Sequence, residues 1–192
     1  MQILKSVSLA NYSSFHTGGI AESLVICDSA AELLKVISEQ ENKKLSCLGF
    51  GTNVLISDKG LDGTVAVCRG GSIKLDDTTL VAEAGVWWDD LVVRAIDEDL
   101  WGVELMSGIP SSIGGAIMGN IAAYGQQISD TLEWVEVIAT DSQKIERIPA
   151  STLSYDYRYC SLKDTPGIVV LRAGFKFSKS PTQTLEYGSA LR

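Results

Sequence analysis

Apolar and polar positions alternate along this 192-residue chain with two different periods. Short apolar runs bounded by turn residues predict strands at "SLVIC" (23–27), "LSCLGF" (45–50), "TVAVC" (64–68), "SIKL" (72–75) and "TLVAEAG" (79–85). Between the first two, Ala30, Leu33, Leu34 and Ile37 recur at i, i+3, i+4 and i+7, the apolar face of a helix. Ser29 and Glu32 precede that face with capping-box spacing. "VWWDDLVVRAIDEDL" (86–100) predicts a second helix, with Trp88, Leu91, Val92 and Ala95 on one side. Later come the strand-like runs "LEWVEVIATD", "KIERIP" and "GIVVLRAGFKF". The composite is an α+β fold whose halves each combine strands with helices, the second half being richer in strands.

Composition narrows the picture. Hydrophobic residues make up 45% of the chain and charged residues 21%, enough for a packed core in one domain or two small lobes. No internal repeat or Pro/Ser linker divides it. The net charge of −8 argues against a nucleic-acid partner, which would call for clustered Lys and Arg. It leaves an anionic ligand open, because main-chain N–H groups hold phosphates without net positive charge. Cys27, Cys47, Cys68 and Cys160 show no paired spacing, and His16 is the only histidine, so no metal site is expected. Scattered single cysteines fit a reducing compartment. No signal-peptide core and no membrane-length apolar run is present, so the expected location is the cytoplasm, with no membrane partner.

Three stretches carry candidate chemistry. "GFGTNVLIS" (49–57) sets Gly49 and Gly51 directly after an apolar strand, where a glycine-rich turn aims N–H donors into an anion-sized hollow. Thr52 and Asn53 add side-chain groups able to bond phosphate or sugar oxygens. The third glycine of a dinucleotide fingerprint is absent, and the alternative is a plain tight turn. "SGIPSSIGGAIMGNIAAYG" (107–125) has five glycines and three alanines. Pro110 stiffens its start, Gly114 and Gly115 permit a short helix with a flat surface, and Asn120 and Tyr124 are the large polar residues of its second half. This suits either a planar ligand against bare backbone or close packing of helix on strand. "SYDYRYCSLKD" (154–164) alternates Tyr155, Tyr157 and Tyr159 with Asp156, Arg158 and Cys160. On a strand the tyrosines share one face and Arg158 takes the other, its fork free for a carboxylate or phosphate.

Together these stretches resemble the UDP-N-acetylenolpyruvoylglucosamine reductases. "SSFHTGGIAE" is similar to the family's N-terminal threonine-glycine segment, and "GFGTNVLISDKGLDGTVAV" to its G-x-G-S/T-N-x-L element. "LWGVELMSGIPSSIGGAIMGNIAAYG" resembles the G-x-E-x-x-x-G-I-P-G-x-x-G-G-A…N-x-G-A-Y-G signature. "YDYRYCSLK" resembles Y-R-x-S-x-F-K, and "LEYGSAL" a segment found in one subtype.

The resemblance implies a two-lobed FAD-binding fold of the vanillyl-alcohol-oxidase type, with lobes at 1–66 and 67–192 and without the C-terminal substrate domain. It implies FAD as cofactor, NADPH as reductant, and reduction of a nucleotide-sugar enolpyruvyl ether in peptidoglycan synthesis. Gly49, Gly51, Thr52, Asn53, Val54 and Leu55 would hold the diphosphate. Gly108, Ile109, Pro110, Gly114, Gly115, Asn120, Tyr124 and Gly125 would line the flavin and its ribityl chain. Arg158 would meet the substrate carboxylate and favour the developing enolate, and Tyr187 would contact the substrate diphosphate. The family's proton-donating serine and late glutamate belong to segments beyond the Tyr187 region, so turnover is expected to need a further domain. Ser111 and Ala122 replace family glycines, Cys160 a serine and Leu162 a phenylalanine, and altered backbone angles are expected at the first two. A different class of protein with the same cradle is a non-catalytic flavin- or nucleotide-binding module.

Overall fold

Each apolar run becomes a strand in the computed structural model, which describes residues 1–39 and 44–181. In chain order the strands are β1 (Gln2–Ser8), β2 (Ile20–Cys27), β3 (Leu45–Leu48), β4 (Leu61–Cys68), β5 (Ile73–Asp76), β6 (Thr79–Glu83), β7 (Ala122–Ala123) and β8 (Gln126–Gln127). They continue with β9 (Leu132–Ala139), β10 (Ile145–Pro149), β11 (Tyr155–Asp156), β12 (Tyr159–Cys160) and β13 (Ile168–Lys176). Helices α1 (Ala30–Ser38), α2 (Trp88–Asp97) and α3 (Ile113–Gly119) complete the frame.

Two sheets form. The first has the order β1-β2-β4-β3, with β1 antiparallel to β2 and both β2 and β3 parallel to β4. The second is antiparallel throughout, in the order β10-β9-β13-β6-β5. The change of sheet falls at 69–72, and residue 66 lies inside β4.

Helix α1 sits between the sheets. Its Leu33, Val36 and Ile37 pack with Val25, Cys27, Ala66 and Cys68 of the first sheet and with Ile138 and Leu171 of the second. Ser29 caps it as expected, its Oγ accepting the Glu32 N–H at 3.2 Å. The Glu32 carboxylate accepts from Asp28 N–H at 2.9 Å instead of returning to Ser29. Glu83 of β6 accepts the Ala30 N–H at 2.6 Å, a direct tie between the start of α1 and the second sheet.

The largest core belongs to the second sheet. Trp88, Leu91, Val92 and Ala95, the face read from the sequence, are fully buried there with Ile113, Ala116 and Ile117 of α3. Two readings change. Strand β1 was not anticipated, because most of its residues are solvent-facing and its pattern is faint. The tyrosine-rich segment is not one strand: Tyr155 pairs with Cys160 and Asp156 with Tyr159, leaving Tyr157-Arg158 as a two-residue hairpin turn. Arg158 takes φ 58°, so the tyrosines do not share a face across it.

Candidate cofactor site

The loop at 49–54 leaves the carboxyl end of β3, beside the carboxyl end of β4. In open sheets with parallel strands this edge is where ligands settle. Opposite the loop runs the second glycine-rich segment, anchored at its start by Trp88 N–H on Ser111 O (2.8 Å) and Ile113 N–H on Val86 O (2.9 Å). Gly114 N–H donates to Ala84 O at 2.9 Å. Phe50 reaches across to Trp87, their ring centroids 4.7 Å apart. The two motifs are therefore neighbours.

Between them lies a cavity of about 350 Å³, at the lower end of the roughly 300–1,000 Å³ usual for ligand sites. Residues 49–54 form one wall, Ser111, Ser112 and α3 the other, and residues 168–170 of β13 with Leu33 its apolar base. The N–H groups at 49–53 make no hydrogen bond to a protein acceptor among the described residues, and Thr52-Asn53 form a hydrogen-bonded turn. Within this loop Gly51 is buried and Asn53 exposed, and N–H groups left unpaired along a cavity wall are donors available to an anionic ligand.

The glycines open this site by allowing the walls to approach. A Cβ at Gly49 would overlap Ser112 Oγ, and one at Gly51, where φ is 69°, would overlap the Tyr12 carbonyl. On α3, a Cβ at Gly114 would lie 3.2 Å from Ala84 Cβ and one at Gly115 3.2 Å from Ser111 Oγ. Both readings of the small-residue stretch are thus met: it packs closely, and a hollow remains.

Gly49, Gly51, Thr52, Asn53, Val54, Gly114 and Gly115 line the cavity. Leu55 does not, and its side chain is exposed. Gly108, Ile109 and Pro110 precede the lining segment: Asp89 Oδ1 accepts the Gly108 N–H at 2.7 Å, Ile109 packs on the main core, and Pro110 is exposed. Tyr124 and Gly125, with φ 51° and 86°, form the two-residue turn between β7 and β8, the geometry of a type I′ hairpin. Asn120 is a buried left-handed cap on α3, its Nδ2 donating to the Asp156 carbonyl at 3.3 Å. Its Oδ1 is buried without a partner among the described residues. Arg158 projects from the exposed hairpin turn, and Tyr187 lies outside the described residues. Neither Ser111 nor Ala122 has positive φ, so the altered angles expected there are not needed.

Sequence reading missed Lys163. It is the one charged residue lining the cavity among the described residues, and its Nζ donates to the Arg158 carbonyl at 2.7 Å. The available signal was its place as the closing lysine of the Y-R-x-S-x-F-K-like segment. Cys68 also lines the cavity, and burial pushes its thiol up to about 12, so it stays protonated and neutral. Tyr159 donates to Asp164, which raises its phenol above the ordinary value.

A two-sheet α+β frame with unpaired main-chain donors at a parallel-strand edge defines a cofactor-binding domain of the dinucleotide-holding class. The chain belongs to the FAD binding domain family, whose model matches residues 21–147. It is 32% identical over 199 residues to UDP-N-acetylenolpyruvoylglucosamine reductase of Mycobacterium marinum, covering 97% of this chain and 54% of that protein. The Streptomyces coelicolor enzyme of the same name is 35% identical over 185 residues, covering 94% and 48%. The chain thus spans about half the length of the curated relatives it matches. The crystal structure of the Thermus caldophilus reductase superposes with a TM-score of 0.78 at 28% identity, over 94% of this chain and 64% of that one. Alkyldihydroxyacetonephosphate synthase superposes at 0.64 with 14% identity, over 88% and 34%, a likeness of fold alone. The fold is the two-lobed FAD-binding type that the sequence implied.

Proposed function

We propose that this chain is the FAD-holding part of an NADPH-driven reductase of UDP-N-acetylglucosamine enolpyruvate, acting in peptidoglycan synthesis in the cytoplasm. The carrying observation is the cavity between the glycine-rich loop at 49–54 and α3, with loop N–H groups at 49–53 that no protein acceptor takes among the described residues. The residues present fit the cofactor. Main-chain donors suit its diphosphate without requiring positive charge. Leu33, Met118 and residues 168–170 offer apolar cover. FAD when bound supplies a two-electron carrier between the nicotinamide and the enol ether.

The chain's own groups act around that carrier. Residues 49–54 orient the diphosphate, and the apolar base excludes water from the hollow. Arg158, exposed in its turn and without a carboxylate partner among the described residues, is free to bind the substrate carboxylate. A guanidinium there favours the enolate as negative charge develops. Tyr187 would contact the nucleotide diphosphate. Gly108, Ile109, Pro110, Tyr124 and Gly125 would meet the flavin end of the cofactor, outside the cavity proper. The lobes are proposed to divide near the change of sheet, and the partner is a small nucleotide sugar, not a nucleic acid.

The test is optical. Purified protein with added FAD should give a bound flavin spectrum at one cofactor per chain. Adding NADPH and the enolpyruvyl nucleotide should give NADPH oxidation dependent on the nucleotide. Bound flavin without coupled oxidation would assign a binding module, and protein that refuses FAD would refute both.

A further inference from the structure

The turn that presents Arg158 is held by two side chains that reach it from the cofactor cavity side. Asn120, at the end of the cavity helix α3, donates to the Asp156 carbonyl at 3.3 Å. Lys163, a residue of the cavity lining, donates to the Arg158 carbonyl at 2.7 Å. These carbonyls bracket the Tyr157-Arg158 turn, and Arg158 sits at φ 58°, a conformation a long side chain adopts only when its surroundings hold it. Tyr157 is 90% exposed and gives the turn no packing anchor.

We propose that Lys163 is a positioning residue linking the cofactor cavity to Arg158. Its ammonium fixes the turn, and filling the cavity against the rest of the side chain restricts that ammonium further. This rests on the proposed FAD site, because the coupling needs a ligand in the cavity, while the fixing of the turn does not. Among the described residues the Lys163 ammonium donates to the Arg158 carbonyl and forms no ion pair with a carboxylate, so the cation is committed to the turn.

Limited trypsin digestion reads both parts, since trypsin cuts at Arg158 and cleavage needs the turn to open locally. Rates after Arg158 are followed by mass spectrometry and referred to cleavage after Lys59, in an exposed turn. Without cofactor, K163M should raise the relative rate by about tenfold, the loss of one charge-assisted hydrogen bond, and K163R should stay near the unsubstituted protein. A general loss of folding raises both sites together and is distinguished by the reference. With saturating FAD, the unsubstituted protein should gain protection that K163M does not. Equal cleavage of K163M and unsubstituted protein without FAD overturns the positioning role. Equal protection of both by FAD overturns the coupling. Failure of the unsubstituted protein to bind FAD, followed by flavin fluorescence, overturns the FAD site and the coupling with it. The digestion without FAD still reports on the turn.

Discussion

Gly49 lies against Ser112 so closely that a single added methyl would overlap the serine hydroxyl. That hydroxyl also caps α3, accepting the Gly115 N–H at 3.2 Å. One contact therefore joins the loop after β3 to the start of the cavity helix. Gly49→Ala should displace the cap and lower stability by about 1 kcal/mol, the usual loss for a helix N-cap. It should also weaken FAD binding by widening the gap between the walls. Adding Ser112→Gly returns the space, so the double variant should lose less than the sum of the single ones in urea unfolding. Strict additivity would mean that the contact does not join the two segments.

Gly51 and Gly108 both have positive φ, at 69° and 78°, yet their surroundings differ. A Cβ at Gly51 meets the Tyr12 carbonyl, and one at Gly108 meets nothing within 4 Å. Gly108→Ala should carry only the backbone term, about 1–2 kcal/mol. Gly51→Ala should cost clearly more and abolish FAD binding. Comparable thermal shifts for the two would contradict the close approach at Gly51.

Cys27 and Cys68 are register partners on β2 and β4, and burial raises their thiols from 9.0 to about 11 and about 12. Between those values the folded chain holds protons that the unfolded chain has released. Stability is therefore full below about pH 9 and falls as pH rises toward 11–12. Urea midpoints measured from pH 7 to 10.5 should decline above 9. Cys68→Ala should make that decline shallower, and an unchanged slope would show that the thiol is not held protonated.

Asn120 serves both as a left-handed helix cap and as a donor to the Asp156 carbonyl. Asn120→Gly keeps the cap conformation and loses the side-chain hydrogen bonds to the Asp156 carbonyl and Gln127 Oε1; Asn120→Ala loses the cap conformation as well. The glycine variant should be the more stable by about 1 kcal/mol, the backbone penalty that alanine carries. Both should speed trypsin cleavage after Arg158. If the alanine variant cleaves at the unsubstituted rate, Asn120 does not hold the turn.

Local pattern carried most of the fold. The α1 and α2 faces, the capping serine and the main strands follow from periodicity over a few residues. The adjacency of the two glycine-rich motifs also follows, once the resemblance links them. Other features depend on long-range packing. Strand β1 is half exposed and weakly patterned. The tyrosine segment turns at Arg158 because Asn120 and Lys163 hold its carbonyls, which no alternation of residues reveals. Asn120 is also a helix cap and Tyr124 part of a hairpin turn, local roles that the run of small residues did not disclose. Lys163 was legible only as the closing lysine of the Y-R-x-S-x-F-K-like segment, and its reach back to the Arg158 carbonyl only from the fold.

The most direct measurement of the cofactor cavity is a titration of isotope-labelled protein with FAD, followed through the backbone amide resonances. The largest shifts should fall at 49–54 and 111–119, saturating at one FAD per chain. No binding, or binding that leaves those amides unmoved while others shift, would contradict the assignment of this cavity to the cofactor.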